Sequence, residues 1–168
     1  MLDFHIDERA VVLERNYQIP LHPSDRKGFS EKRIRERLED KGWMVWRGGF
    51  LHATRKREVY PNVEKKYKKL NRLVNGLELL QYICVVHHGM PDFLCYKSGT
   101  LKFIECKLGY ESLSERQRKT IAYLQKRGYK IEIHRIVEHQ TKRDVSKLNI
   151  ATREREIVKE QEKIGSYV

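Results

Sequence analysis

Gly89-Met90-Pro91-Asp92-Phe93-Leu94-Cys95-Tyr96-Lys97-Ser98-Gly99-Thr100-Leu101-Lys102-Phe103-Ile104-Glu105-Cys106-Lys107 is the stretch that decides the fold. Two short apolar and aromatic runs flank a Lys-Ser-Gly-Thr turn, the pattern of a β-hairpin. With Ser98 and Gly99 as a two-residue turn, Lys97 faces Thr100, Tyr96 faces Leu101 and Asp92 faces Glu105. Side chains alternate along a strand, so Lys107 shares the face of Glu105. Facing Cβ atoms lie roughly 5 Å apart, where like charges are destabilising. A divalent cation held between the two carboxylates, with the lysine beside it, accounts for the arrangement.

The composition describes a folded domain that meets a polyanion. At 168 residues the chain has the length of one domain, with room for a core. A hydrophobic content of 39%, with two Trp, nine Tyr and five Phe, excludes a disordered chain. The net charge of +12 suits nucleic acid. Cys84, Cys95 and Cys106 are odd in number and lack C-x-x-C spacing. All three fall in expected strands, so they read as buried small hydrophobes of a reducing compartment. The opening M-L-D-F-H-I-D-E-R does not read as a secretory leader, and no apolar run reaches membrane-spanning length. The expected protein is soluble and cytoplasmic, with no membrane partner.

Working outward, residues 1–28 suggest a short strand or helix around Arg9–Leu13 and a loop at Pro20, Pro23 and Asp25. This segment is expected as an arm against the core or a partner subunit. Residues 29–41 read as a helix, with Ser30 as N-cap, a Phe29–Ile34 staple, and Ile34 and Leu38 as the buried stripe. Lys41-Gly42 ends it. Glu31 projects onto the apolar face and Glu36 points away to solvent. A first-turn acid also complements the helix dipole, so position alone leaves the role of Glu31 open. Trp43–Trp46 is the first core strand expected. The loop behind it, R-G-G-F-L-H-A-T-R-K-R, carries Arg47, Arg55, Lys56 and Arg57. Such loops are ordinarily solvated, but one leaving a strand beside the carboxylates suits phosphate contacts.

Residues 62–81 read as a basic helix weakened near Asn75-Gly76, with Val63, Tyr67, Leu70, Val74 and Leu77 on one apolar face. That face packs on the core or meets a partner subunit, which allows a homodimer. Lys65, Lys66, Lys68, Lys69 and Arg72 fall mostly off the stripe, free to line a nucleic-acid channel or to be solvated. Tyr82–Val86 is expected as a buried strand or a lead-in to the hairpin. Beyond the hairpin, Leu113–Arg127 is a helix whose Ser114-x-x-Gln117 forms a capping box. Arg116, Arg118 and Lys119 near its start are candidate phosphate contacts. Tyr129–Ile136 alternates as the last core strand. From Glu138 onward the interleaved acids and bases predict a solvated helix.

Asp92 followed on the next strand by Glu105-x-Lys107 resembles the PD-(D/E)xK nuclease motif, with Pro91-Asp92 as its first half. The wider string G-M-P-D-F-L, F-I-E-C-K-L, L-S-E-R-Q-R and L-Q-K-R-G-Y is similar to the VRR-NUC branch. It is also similar, more loosely, to archaeal Holliday-junction resolvases. The similarity covers about residues 29–48 and 83–137. The resemblance implies an α/β restriction-endonuclease-like core in the order helix, three strands, helix, strand. An inserted basic helix and N- and C-terminal additions complete that chain. Residues 1–137 would form one nuclease domain, with an insertion at 50–82, and 138–168 a charged helical extension.

The resemblance further implies a metal-dependent endonuclease acting on DNA, with branched, flap or junction substrates among its targets. Asp92, Glu105 and the Cys106 backbone carbonyl would bind Mg²⁺, or Mn²⁺ in its place, and Lys107 would act on the attacking water. Related nucleases carry a metal-site Glu in the helix before a Gly-aromatic-x-x-x-Arg strand, and Glu31 ahead of Gly42-Trp43-Met44-Val45-Trp46-Arg47 matches that arrangement. Gln117 becomes an auxiliary site residue. Distant branches use an upstream histidine, which brings in His88 and, less well, His87. An RNA-directed nuclease of the same fold and a binding module without catalysis remain as alternatives.

Overall fold

The computed structural model describes residues 6–22, 28–53, 60–86, 90–139 and 144–158. In chain order the elements are β1 (Val11–Gln18), α1 (Phe29–Asp40), β2 (Met44–Arg47), α2 (Phe50–Ala53), α3 (Pro61–Leu73), α4 (Leu77–Val86), β3 (Phe93–Lys97), β4 (Thr100–Leu108), α5 (Glu115–Lys126), β5 (Lys130–Val137), β6 (Val145–Asn149) and β7 (Arg155–Ile157). The hairpin forms in the expected register, from Phe93↔Ile104 to Lys97↔Thr100. Its turn residues Ser98 and Gly99 have φ of 48° and 83°, the pair of positive values a type I′ turn requires.

All strands join one sheet in the order β2-β3-β4-β5-β1-β6-β7. Strands β2, β3 and β4 pair antiparallel, and α5 carries the chain across to β5, which lies parallel to β4. This is the expected order of helix, three strands, helix, strand. Alternation then sorts the core into two layers. On one face Ile34 and Leu38 of α1 pack against Val45, Phe93, Cys95, Ile104 and Cys106. On the other, Ile121 and Leu124 of α5 and Leu70, Leu77 and Leu80 of α3 and α4 meet Leu94, Phe103, Ile131 and Ile133. Glu105 and Lys107 share the parity of Phe103, so they belong to the α5 side.

The helix α1 starts two residues earlier than the Ser30 cap predicts. Gly28 occupies the cap position with φ 97°, no side chain caps the helix, and Ser30 lies inside the first turn. Its end is as read: Gly42 has φ 89°, and the Trp43 amide returns to the Leu38 carbonyl at 3.0 Å.

Four expectations fail in instructive places. The segment around Arg9–Leu13 is no arm: β1 is an interior strand, parallel to β5 and antiparallel to β6. Glu14 lies buried in its middle, which a strand pattern forbids unless the charge is paired. The partners, Arg135 at 2.7 Å and Arg155 at 2.8 Å, are more than a hundred residues away in sequence. The basic helix is two helices, because Val74 leaves the helical region and Gly76 turns at φ 76°. Tyr82–Val86 is the second half of α4 rather than a strand, so Cys84 is a buried helical residue. Leu77, Leu80, Ile83 and Cys84 bury at helical spacing and leave Leu79, Tyr82 and Val86 exposed. The fourth concerns the C-terminal segment. Strand β5 is not the last strand, and the described residues after Glu138 form β6 and β7 instead of a helix. Ser146 and Leu148 point inward there while Lys147 faces out, the period of a strand.

Candidate active site

The hairpin delivers the carboxylates, and α5 secures them. Asp92 sits one residue before β3, where its Oδ2 accepts a hydrogen bond from the Cys106 amide at 2.8 Å. Its own carbonyl accepts the Gly48 N–H at 2.7 Å, so the loop after β2 also holds it. Glu105 and Lys107 are 2% and 6% exposed, and Lys107 Nζ lies 3.7 Å from Glu105 Oε1. Between them reaches Gln117. Its Nε2 donates to Glu105 Oε1 at 3.0 Å, and its Oε1 accepts from Lys107 Nζ at 3.0 Å. The same Oε1 closes the capping box by accepting the Ser114 amide, while Ser114 Oγ accepts the Gln117 amide. The third residue of α5, which closes its capping box, thus fixes Glu105 and Lys107 of the hairpin at once.

Glu105 is electrostatically out of balance. Its Oε2 is buried with no hydrogen-bond partner. Burial, and then the negative charge of Asp92, push its carboxyl up to about 9, and the nearby Lys107 only partly offsets them. A buried carboxylate oxygen without a donor, next to a second carboxylate, is what a divalent cation would satisfy. The donors present fit such an ion.

Glu31 on α1 lines the same cleft as Asp92, and its negative charge reaches Cys106, whose thiol is pushed up mainly by burial. Glu36 is exposed and paired with Arg33 at 3.6 Å. Among the described residues no three acidic, histidine or cysteine side chains converge closely enough to ligate one ion. Asp92 and Glu105 form the close pair, and Glu31 shares the cleft with Asp92.

That cleft, of about 940 Å³, runs along the open edge of β2 between α1 and α3. Arg35, Arg47, Lys66 and Lys69 supply its positive charge, and Trp43 and Phe50 its rings. Arg47 therefore shares the cleft with Asp92 and Glu31. Arg55, Lys56, Arg57, His87 and His88 fall outside the described residues. Arg116 is exposed at the start of α5. Arg118 is engaged elsewhere: its guanidinium donates to the carbonyls of Ile150 at 2.7 Å and Ala151 at 2.8 Å, pinning α5 to the end of β6. Its expected phosphate contact gives way to this packing role. Lys119 pairs with Glu115 on its own helix.

Sequence reasoning missed two residues. Arg35 joins the cleft while donating to the Val45 carbonyl at 3.2 Å. Gly48 is the other: a Cβ there would stand 1.9 Å from the Pro91 carbonyl oxygen. Its φ is not positive, so the requirement is close backbone approach. The Gly48-Gly49 pair directly after a strand was the available signal.

The family model described as the VRR-NUC domain matches residues 25–138. The chain belongs to this family, within the PD-(D/E)xK nuclease superfamily, and its fold is restriction-endonuclease-like. No curated protein and no solved structure matches it. The family makes the chain a nuclease domain, with nucleic acid as its substrate.

Proposed function

We propose that the chain is a metal-dependent endonuclease that hydrolyses phosphodiester bonds in DNA, with branched, flap or junction DNA as its preferred form. The observation that carries this reading is the buried, partnerless Oε2 of Glu105 beside Asp92. Asp92, Glu105 and the Cys106 carbonyl, with Glu31 directly or through water, would hold Mg²⁺ or Mn²⁺. Bound there, the ion supplies a water of lowered pKa and neutralises charge on the phosphate.

The chain's own groups do the rest. Lys107 has three N–H donors and gives one to Gln117, which leaves it able to orient the attacking water and to meet negative charge developing on the phosphoryl oxygens. Gln117 keeps Lys107 and Glu105 in register. Arg47, with Lys66 and Lys69, draws the strand into the cleft by phosphate contacts that carry no sequence information.

The test is one gel panel with Mg²⁺, comparing labelled duplex, flap, four-way junction, single-stranded DNA and RNA. Cleavage of a branched DNA ahead of the others is the expected result. Cleavage of RNA alone would transfer the reading to RNA, and cleavage of nothing would reduce the chain to a binding module.

A further inference from the structure

A second basic site lies at the far end of α1, on the sheet face opposite Glu105. Glu31 and Lys41 are ten residues apart, which separates the two ends of the helix by about 15 Å. Under the C-terminal end is a cavity of about 250 Å³, lined by Arg15, Tyr17, Arg37, Lys41, Lys102 and His134. The catalytic reading uses none of these residues.

The interior of this cavity is an ordered network. Lys102 Nζ, 4.3 Å from the ring of Trp43, donates to both oxygens of Glu132 at 3.2 Å, and Arg15 Nε reaches Glu132 Oε1 at 3.4 Å. His134 Nε2 lies 3.2 Å from the same Oε1, and its Nδ1 lies 3.2 Å from the Tyr17 hydroxyl. Burial lowers the His134 pKa, so the ring is neutral: it donates to Glu132 and accepts from Tyr17. Burial would raise the Glu132 carboxyl, but His134, Lys102 and Arg15 together hold it down at about 2.

Glu132 is bonded to two of the four cations that line the cavity, and Asp144 lines the adjoining groove with Arg15, Arg37 and Lys41. Arg37 lies over the Tyr17 ring at 4.5 Å, and neither it nor Lys41 makes an ion pair among the described residues. Cations in a last helical turn are ordinary complements of the dipole. Two of them at i,i+4 repel each other, however, and the cavity sets them beside Arg15 and Lys102. An anion in the cavity removes that repulsion.

We infer that this cavity binds a phosphate group, presented either as a free phosphomonoester or as a backbone phosphate of bound nucleic acid. The choice of anion follows from the donors. Two guanidinium forks and two ammonium groups suit a tetrahedral oxyanion with several acceptor oxygens better than a single carboxylate. The volume falls below the ~300–1,000 Å³ of pockets for whole small molecules, so it admits the phosphate and little of what it is attached to.

The experiment titrates inorganic phosphate, and separately thymidine 5′-monophosphate, into the full chain at constant ionic strength, reading the melting temperature. The wild type is expected to show a saturable rise that chloride does not reproduce. Arg37→Gln/Lys41→Gln should weaken the half-saturating concentration by about 10- to 100-fold, the loss expected for one or two hydrogen bonds to a charged group. Arg33→Gln, on the same helix but outside the cavity, should respond as wild type. A binding assay with a DNA oligonucleotide separates the two sources. If the double variant binds DNA more weakly and free phosphate competes, the phosphate comes from nucleic acid. If DNA affinity is unchanged while the phosphate response is lost, it is a free monoester. No saturable response in the wild type, or the same response in the double variant, overturns the inference.

Discussion

Replacing Gly48 by alanine would disturb the site through a single atom. The new Cβ would stand 1.9 Å from the Pro91 carbonyl oxygen and 3.2 Å from its carbon. Contacts below 3.0 Å do not persist, so the backbone at Pro91-Asp92 or the loop behind β2 must open by about 1 Å. Neither neighbour is a flexible side-chain tip: both are backbone atoms, and the Gly48 N–H···O bond to Asp92 ties the two segments together. A displacement near 1 Å at a reacting carboxylate costs on the order of 10²-fold in rate. Overpacking of this kind also costs ~1–3 kcal/mol, or ~2–12 °C in melting temperature for a domain of this size. Gly49→Ala is the matched control, because nothing lies within 4 Å of its Cβ. The assay is single-turnover cleavage in Mg²⁺ beside a thermal melt and a DNA-binding isotherm for wild type and both variants. A Gly48→Ala protein that cleaves and melts like Gly49→Ala would refute the idea that this backbone contact sets the position of Asp92.

Three further outcomes follow from the charges. An acid raised to about 9 holds its proton more tightly in the folded state, so without divalent cation the contribution of Glu105 is best near pH 4.5 and deteriorates as pH climbs towards 9. In EDTA, Glu105→Gln should flatten that decline in melting temperature, and parallel wild-type and variant profiles would count against it. Glu31→Gln should slow cleavage by orders of magnitude with little change in fold, while Glu36→Gln, remote from the cleft, should be nearly silent in rate and melting temperature. The reverse ranking would place the wrong face of α1 in the site. DNA affinity should fall linearly with salt on logarithmic axes, and Lys66→Gln/Lys69→Gln should lower the slope by about 2. An unchanged slope would remove α3 from the binding surface.

What the sequence disclosed and what it hid divide along the range of the interactions involved. The β3–β4 register was legible because a two-residue turn fixes every pair after it, and Gln117 because a capping box is local. The resemblance to the family likewise rests on motifs that neighbour one another on two strands and a helix. The place of β1 was illegible because Glu14 is acceptable in a buried strand only with Arg135 and Arg155 beside it, and nothing local announces them. The β-branched end of α4 suggested a strand, whereas the 77, 80, 84 spacing already described a helix face. Arg118 shows the opposite limit. Its charge and position near the start of α5 suit a phosphate, and only the carbonyls of Ile150 and Ala151 reveal that it serves packing.

The most direct measurement compares wild type and Asp92→Ala on the best-cut substrate of the panel, in Mg²⁺ and in EDTA, with cleavage rate and binding affinity read on the same samples. Cleavage should require both Mg²⁺ and Asp92, while the variant binds the substrate about as tightly as wild type. Equal rates in the two proteins, or undiminished cleavage in EDTA, would contradict the assignment of Asp92 and Glu105 as the metal-holding pair.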